Sequence, residues 1–365
     1  MSTHTHGSTD SYGPVELLAS EIFWRDHQEW LSQKGYMLRP RYRPGWTPSW
    51  KGKDKYYRRY EDAQTILVPH ILDAVRKSDG ELVVLKCVQQ SVHPFERQIS
   101  LFFSTEPYSS HPHNHCVPIY DVLDVPDEDG KFILVMPLLR AYSDPRLKSV
   151  GEAVEFFRQI FEGLQFMHQC HVAHRDCMDL NILQDPRPTF PKMYHPRVTR
   201  MTYDFRRLVT YHTRTARPTK YFFIDFGLSR RYNPKDGPPL EPPIRGGDKT
   251  VPEFKDSVAP VNPFPTDIYY LGNLIREDFL QVKTGVEFME PLVNDMVQDD
   301  PSKRPTIDEV VQRFNSIQNS LPWWKLRSRL VDKKEDGFNR FIRNFRHRYR
   351  TFLHILAFRS ALPTP

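Results

Sequence analysis

Sulfur is scarce in this chain. Its 365 residues hold four cysteines, Cys87, Cys116, Cys170 and Cys177, with no Cys-x-x-Cys among them. That suggests reduced thiols in an intracellular, cytoplasmic or nuclear, protein. Long apolar runs are missing too. No stretch approaches the ~18 apolar residues of a membrane span. The N-terminus has no basic region followed by an apolar one, so no signal peptide is expected. Charge of one sign is lacking from most of the chain. The net charge of +6 resides in residues 321–365, where eleven Lys/Arg stand against three Asp/Glu, a net +8. Residues 1–320 hold 40 basic against 42 acidic side chains, a net −2. A general nucleic-acid-binding surface on the body is therefore disfavoured.

What is present suffices for one large or two modest domains. Hydrophobic residues make up 39% and aromatics 13%, enough for a sizeable core, and the 32 prolines cluster in loops. The most informative stretch is His174-Arg175-Asp176-Cys177-Met178-Asp179-Leu180-Asn181. Forty-four positions after Asn181 comes Asp225-Phe226-Gly227, behind the apolar run Tyr221-Phe222-Phe223-Ile224. Phosphoryl transfer to a hydroxyl needs a carboxylate to take or orient the hydroxyl proton. It also needs an amide oxygen and a second carboxylate on the metal ions that bridge the phosphates. Asp176, Asn181 and Asp225 fit these three roles.

The two motifs, in this order, resemble the catalytic loop H-R-D-x-x-x-x-N and the D-F-G of eukaryotic protein kinases. The resemblance implies an α+β, bilobal protein-kinase-like fold with a small β-rich N-lobe and a mostly helical C-lobe. It implies ATP and Mg²⁺ as cofactors and transfer of the γ-phosphate to a protein hydroxyl, serine or threonine. Asp176 is then the catalytic base, with Asn181 and Asp225 as the metal ligands. Lys86, in Val83-Val84-Leu85-Lys86-Cys87-Val88, resembles the V-A-I-K lysine that positions the phosphates. Glu96 is the candidate helix glutamate that holds Lys86, ten residues on, a gap short enough to imply a truncated helix or a bent approach. Met136-Pro137-Leu138-Leu139 resembles the hinge: Met136 as gatekeeper, the Pro137 carbonyl and the Leu139 backbone as adenine partners. Pro137 lacks an N–H, but only its carbonyl is required there.

Three further matches extend the resemblance to about residues 65–318. Val251-Pro252-Glu253 is similar to the Ala-Pro-Glu that ends the activation segment. Arg304 matches the arginine that pairs with this glutamate. Asp267 matches the aspartate that anchors the catalytic loop. His111-Pro112-His113-Asn114-His115-Cys116 is similar to the kinase His-Pro-Asn loop rather than to a zinc site, because no second ligand cluster follows. The set, with the arm Arg39-Pro40-Arg41-Tyr42, looks like the divergent kinase-like proteins of filamentous fungi. Two departures stand out. No glycine-rich loop precedes Lys86; from Thr65 on, the only glycine is Gly80, and backbone amides approach phosphates closely only where side chains are absent. Met178 stands where serine/threonine kinases usually carry a lysine. Both favour the alternative of a pseudokinase scaffold, an interaction module with weak or no catalysis.

The remaining chain divides by pattern. Residues 1–13 are polar and expected to be disordered. Residues 14–64 carry a helix over 14–33, between Pro14 and Gly35, and a Pro/Trp-rich extended arm expected to pack on the N-lobe, the alternative being a docking site for a Pro-recognising partner. The N-lobe covers 65–136, with strands over Thr65–Leu72, Asp73–Arg76 and Glu81–Val88, a short helix over 93–103, and a hairpin of 117–125 with 131–136. The C-lobe covers 140–318, with a helix over Ser149–His168. An insertion, 184–220, lies between its two motifs, where 198–203 and 208–213 suggest an extra hairpin. The basic tail, 319–365, contains an amphipathic helix near 337–357. Its apolar stripe is expected either to pack on the C-lobe or to meet an anionic membrane or a protein. The protein substrate is not legible.

Overall fold

The computed structural model describes residues 16–53, 56–244, 247–255 and 259–365. The polar stretch 1–13, and Pro14 at the head of the expected helix, lie outside the described residues. The chain forms two compact units. One takes the described part of 1–89 with 120–138 and 190–210; the other takes 90–119, 139–189 and the described part of 211–365.

The first unit is built on a five-stranded antiparallel sheet. Its strands are β1 (Tyr36–Leu38), β2 (Ile71–Arg76), β3 (Leu82–Gln89), β4 (Asp121–Asp124) and β5 (Lys131–Pro137), in the order β1-β2-β3-β5-β4. The strand expected over 65–72 does not form. Ile71 and Leu72 join residues 73–76 in the single strand β2, whose outer neighbour comes from residues 36–38. Pro69 has no N–H for a ladder, and its carbonyl instead accepts from the Trp24 indole at 3.0 Å. The expected helix over 14–33 is two, α1 (Ala19–Asp26) and α2 (Gln28–Gln33), interrupted at His27 (φ −96°, ψ 3°). Gly35 follows at φ +94°, a conformation that glycine adopts without strain.

Alternation along β3 sends Val83, Leu85 and Cys87 to one face, where Trp24, Leu31 and Tyr42 bury fully against them. Each such side chain contributes about 1.5–3 kcal/mol. The Pro/Trp arm packs here as expected, fastened by a buried ion pair. Arg41 binds both oxygens of Glu21, at 2.9 and 2.8 Å, and Tyr42 donates to the same carboxylate at 2.9 Å. Burial alone would raise the Glu21 carboxyl; the Arg41, Leu18 and Tyr42 hydrogen bonds outweigh it and hold the group low.

The insertion does not stay with the C-lobe residues. Its middle, 190–210, belongs to the sheet unit. Phe190 and Tyr194 bury with Leu138, and Leu82 and Val84 pack on the cluster. His195 meets Glu61 at 3.3 Å, and Tyr203 donates to Asp73 at 3.4 Å. The expected hairpin of 198–203 with 208–213 reduces to the single bridges Tyr194↔Thr202 and Met201↔Leu208.

The second unit is mostly helical. It contains α3 (Glu96–Ser104), β6 (Arg140–Ala141), α4 (Val150–Gln169), β7 (Val172–Ala173), β8 (Ile182–Gln184), β9 (Tyr221–Phe223) and β10 (Arg230–Arg231). Then follow α5 (Pro263–Ile275), β11 (Lys283–Thr284), α6 (Glu290–Met296), α7 (Ile307–Ser320), α8 (Trp323–Leu326), β12 (Val331–Asp332) and α9 (Gly337–Leu356). Helix α4 starts where the Ser149 hydroxyl caps the Glu152 amide at 3.2 Å. Its apolar positions sink into the core, with Phe161 set edge-on against Phe314 of α7 at 5.2 Å. Strands β6, β8 and β9 form one small sheet and β7 with β10 another, and these two frame the loop 174–181. Among the described residues no helix is long and apolar enough to cross a membrane. Helix α9 forms where its periodicity placed it, but packing of its apolar stripe on the body is overturned: Phe338, Phe341, Phe345 and Tyr349 are all exposed.

Candidate active site

The loop 174–181 is held from beneath by α5. Asp267, fully buried, accepts from the backbone N–H of His174 at 2.8 Å and of Arg175 at 2.7 Å, and meets His168 Nε2 at 3.0 Å. Arg175 sits at φ +69°, a left-handed conformation that costs a non-glycine residue about 1–3 kcal/mol. The two charge-assisted bonds to Asp267 offset that strain. The His174 ring is buried, and burial pushes its pKa down, so it is neutral. Its Nδ1 accepts from the Asp176 N–H at 3.2 Å and its Nε2 donates to the Ile224 carbonyl at 3.1 Å. A single ring thereby ties Asp176 to the residue before Asp225.

Asn181 gives both amide bonds to Asp176, at 2.8 Å to the carbonyl and 2.8 Å to Oδ2. Its side-chain oxygen is its remaining polar atom. Ile224 N–H donates to the Asn181 carbonyl at 3.0 Å, which sets the backbone leading to Asp225 beside Asn181. Asp225 itself is at φ +63°. Thus Asp176, Asn181 and Asp225, 49 residues apart at the extremes, are brought together.

The second oxygen of Asp176, Oδ1, is buried and has no hydrogen-bond partner among the described residues. Burial pushes this carboxyl up to about 6 against the lowering bond from Asn181, with Asp225, Asp267 and Asp179 adding to the rise. Asp179 is also raised, by burial and then by Asp278. The loop therefore carries a surplus of negative charge and one oxygen with an unspent lone pair. A divalent cation fits this environment. Among the described residues no group of three or more His, Cys, Asp or Glu could hold an ion alone. That is compatible with Mg²⁺, which is commonly bound by one or two carboxylates plus substrate phosphates.

Beyond the loop, Glu253 and Arg304 pair as expected, at 2.6 and 2.8 Å, with side chains 7% and 0% exposed. In the His-Pro-Asn loop, Asn114 donates to the carbonyls of Phe103 and Tyr108 at 2.8 and 2.9 Å, and His115 Nδ1 donates to that of Tyr221 at 2.8 Å.

Two residues escaped the sequence reading. Gly247, at φ +70°, faces Asp176: a Cβ there would lie 2.4 Å from Asp176 Oδ1. Glu241 pairs with Arg175 at 3.3 Å. The Gly246-Gly247-Asp248 run was the available signal for the first. Nothing local marked the second.

Of the other expected site residues, Lys86 lies in β3, 7% exposed, on the face opposite Leu85. Met136 and Pro137 end β5, across from Val84 and Val83. These three belong to the sheet unit. Leu139 and Glu96 belong to the helical unit, both buried, with Glu96 in the first turn of α3. The connection from β1 to β2, where kinases carry the glycine-rich loop, is here the stretch Arg39 to His70, holding only Gly45 and Gly52.

A sequence model of the protein kinase domain matches residues 69–238. Over 117 residues the chain is 32% identical to NUAK family SNF1-like kinase 2 of Homo sapiens and of Pongo abelii, a stretch that is 30% of this chain and 18% of each relative. Over 119 residues it is 29% identical to NUAK family SNF1-like kinase 1 of Homo sapiens, 31% of this chain and 18% of that protein. The chain thus matches less than a fifth of the length of these relatives.

Proposed function

The chain belongs to the protein kinase-like superfamily, and from that premise we propose that it is an ATP- and Mg-dependent kinase transferring the γ-phosphate to a serine or threonine hydroxyl of a protein. The observation that carries this reading is the Asp176 carboxylate. One oxygen is bound by Asn181, the other is buried with no partner among the described residues, and the loop beneath is fixed by Asp267. Such a group is placed to accept a hydroxyl proton. Asn181 and Asp225 would hold Mg²⁺. When bound, that ion offsets the charge of the phosphates. Gly247 packs close to Asp176 Oδ1, where a Cβ would lie 2.4 Å away. The roles that the resemblance gives to Lys86, Glu96, Met136, Pro137 and Leu139 belong to the same proposal. So does a further contact, with a membrane or a protein, through the tail helix.

A second reading, a pseudokinase, is favoured by one specific feature of the sheet unit. Leu138, between Pro137 and Leu139, is buried against the insertion residues Phe190 and Tyr194, with Val84 packed on the same cluster. Val84 is the β3 partner of Met136. Together with the glycine-poor connection from Arg39 to His70, this narrows the room for adenine on that face of the sheet. The deciding experiment uses purified protein, labelled ATP, Mg²⁺ or Mn²⁺, and generic acceptors, with thermal shift for binding. A kinase transfers phosphate and loses most of that activity in Asp176→Asn while keeping ATP binding. Binding without transfer, unchanged by Asp176→Asn, identifies the pseudokinase. Transfer that persists in Asp176→Asn, with contaminating kinases excluded, refutes the mechanism.

A further inference from the structure

Helix α9 lies on the helical unit by its polar face. Its His347 Nε2 donates to the Arg327 carbonyl at 2.8 Å, its Asn344 accepts from Arg329 at 2.7 Å, and its His354 meets the Thr213 hydroxyl at 3.3 Å. The other face turns outward. Phe338, Phe341, Phe345, Tyr349, Phe352 and Leu356 recur every three or four residues, and each is between 58% and 74% exposed. Over twenty residues this is an apolar stripe roughly 30 Å long. It continues sideways: Trp323 and Trp324 of α8, 64% and 62% exposed, line an open groove of about 500 Å³ with Phe352 and Ile355. Soluble monomers rarely leave so large a contiguous apolar surface uncovered.

Charge identifies the cover. Arg346 and Arg348, both exposed, flank the stripe on its two sides. Along the Arg346 edge opens a cleft of about 470 Å³ lined by seven Lys or Arg side chains and only two carboxylates, Asp144 and Asp332. Asp332 is already engaged by Lys283 and Arg146. Among the described residues no ion pair joins Lys148, Arg346 or Arg350 to a carboxylate. Burial and then the Arg350 charge push the Lys148 amine down, against the opposing pull of Glu152.

We propose that the helical unit docks on an anionic membrane surface through α9, the aromatic stripe entering the headgroup boundary and the cleft at Lys148, Arg346 and Arg350 taking lipid phosphates. A strongly amphipathic helix with Phe, Trp and Leu on one side and Arg beside it has the composition of an interfacial helix. Phosphate-bearing lipid adds the electrostatic half of the attraction. The polar face is already spent on the body, so the helix presents its apolar side without rearrangement. The proposal does not depend on catalysis.

The test is flotation of the full chain with vesicles of phosphatidylcholine alone or mixed with phosphatidylserine, at low and high salt. Two variants accompany it, Phe341→Ser/Phe345→Ser and Arg346→Gln/Arg350→Gln. All four side chains lie on α9 with none buried, so an unchanged melting temperature verifies folding. The expected result is flotation with the mixed vesicles only, weakened by salt and reduced about tenfold or more in each variant. Inositol hexakisphosphate competes for the cleft in the wild type and not in the arginine variant. Absence of flotation, equal flotation on neutral vesicles, or flotation unchanged in the Phe variant overturns the proposal. Capture of inositol hexakisphosphate without any vesicle binding also overturns it, assigning the cleft to a free polyanion. A concentration-dependent dimer that the Phe variant abolishes, with no flotation, overturns it in favour of a second copy of the chain.

Discussion

Arg304→Ala is the most direct test of how the helical unit is held together. The guanidinium makes two bonds to Glu253, at 2.8 and 2.6 Å, one to the Gln298 carbonyl at 2.8 Å and one to the Pro265 carbonyl at 3.1 Å. It also lies 4.9 Å from the centre of the Tyr269 ring. Truncation leaves the Glu253 carboxylate, among the described residues, with the Thr266 hydroxyl at 2.8 Å as its remaining side-chain partner. Breaking one side of such a shielded pair costs about 3–5 kcal/mol. Arg304→Lys keeps the charge but loses the planar fork, and costs about 1–3 kcal/mol. Arg304→Met combined with Glu253→Gln removes both charges and recovers most of the loss, since the penalty is that of the abandoned ion. Burial raises the Glu253 carboxyl, but the Arg304 bonds and charge outweigh it, so the group titrates below its ordinary 4.5. Its contribution is therefore present above pH 4.5 and lost as pH falls through the lower folded value. That acid slope disappears in Arg304→Ala. Urea unfolding followed by tryptophan fluorescence and circular dichroism, from pH 3 to 7, reads all of this. A cost below about 1 kcal/mol for Arg304→Ala, or a double variant no better than the single, refutes the reasoning.

Four other outcomes are expected. If Asp176 is the base, log(kcat) rises with pH through about 6, the value to which burial raises its carboxyl, and flattens above; a flat profile from pH 5 to 8 excludes it. The same raised group weakens the fold as pH rises through about 6, so Asp176→Asn unfolds at slightly higher urea at pH 7. Gly247→Ala, whose new carbon meets Asp176 Oδ1 at 2.4 Å, cuts transfer at least about tenfold, a displacement effect, and costs only about 1 kcal/mol of stability for the φ of +70°; unchanged kinetics refute the contact. His115, pushed down to about 3 by burial, stays neutral in the fold, so stability drains as pH falls from 6.5 towards 3, on the order of a few kcal/mol; His115→Asn flattens that slope in urea titrations.

Legibility followed the range of the forces involved. The loop 174–181 was readable because its chemistry is written in eight consecutive residues, and Asn181 reaches Asp176 within one turn of chain. Helix α4 was readable because Ala153, Phe156, Phe157, Ile160, Phe161 and Leu164 repeat at the helical period and Ser149 caps the first turn. Strand β2 was misdrawn because apolar content at 65–70 does not show whether a neighbour offers ladder partners. Tyr36–Leu38 offers them to Ala74–Arg76, far along the chain, and nothing local announces it. The insertion was misplaced for a related reason: Phe190 and Tyr194 find their burial at Leu138, and no periodicity encodes that partner.

The sequence by itself determined the candidate site residues, their order, the extent of α9 and the concentration of positive charge in the tail. These depend on residue type and on spacing within a few turns, where backbone geometry leaves few choices. Tertiary structure decided which face of each element is covered. A stripe of Phe338, Phe341, Phe345 and Tyr349 predicts a helix with two unlike sides, yet the bonds of Asn344, His347 and His354 put the polar side inward. Likewise only the folded chain sets Gly247 against Asp176 and Glu241 against Arg175. The physical reason is common to all of these. Amphipathicity and charge say what a residue can exchange for water, but the partner that completes the exchange is supplied from elsewhere in the chain, or from outside it.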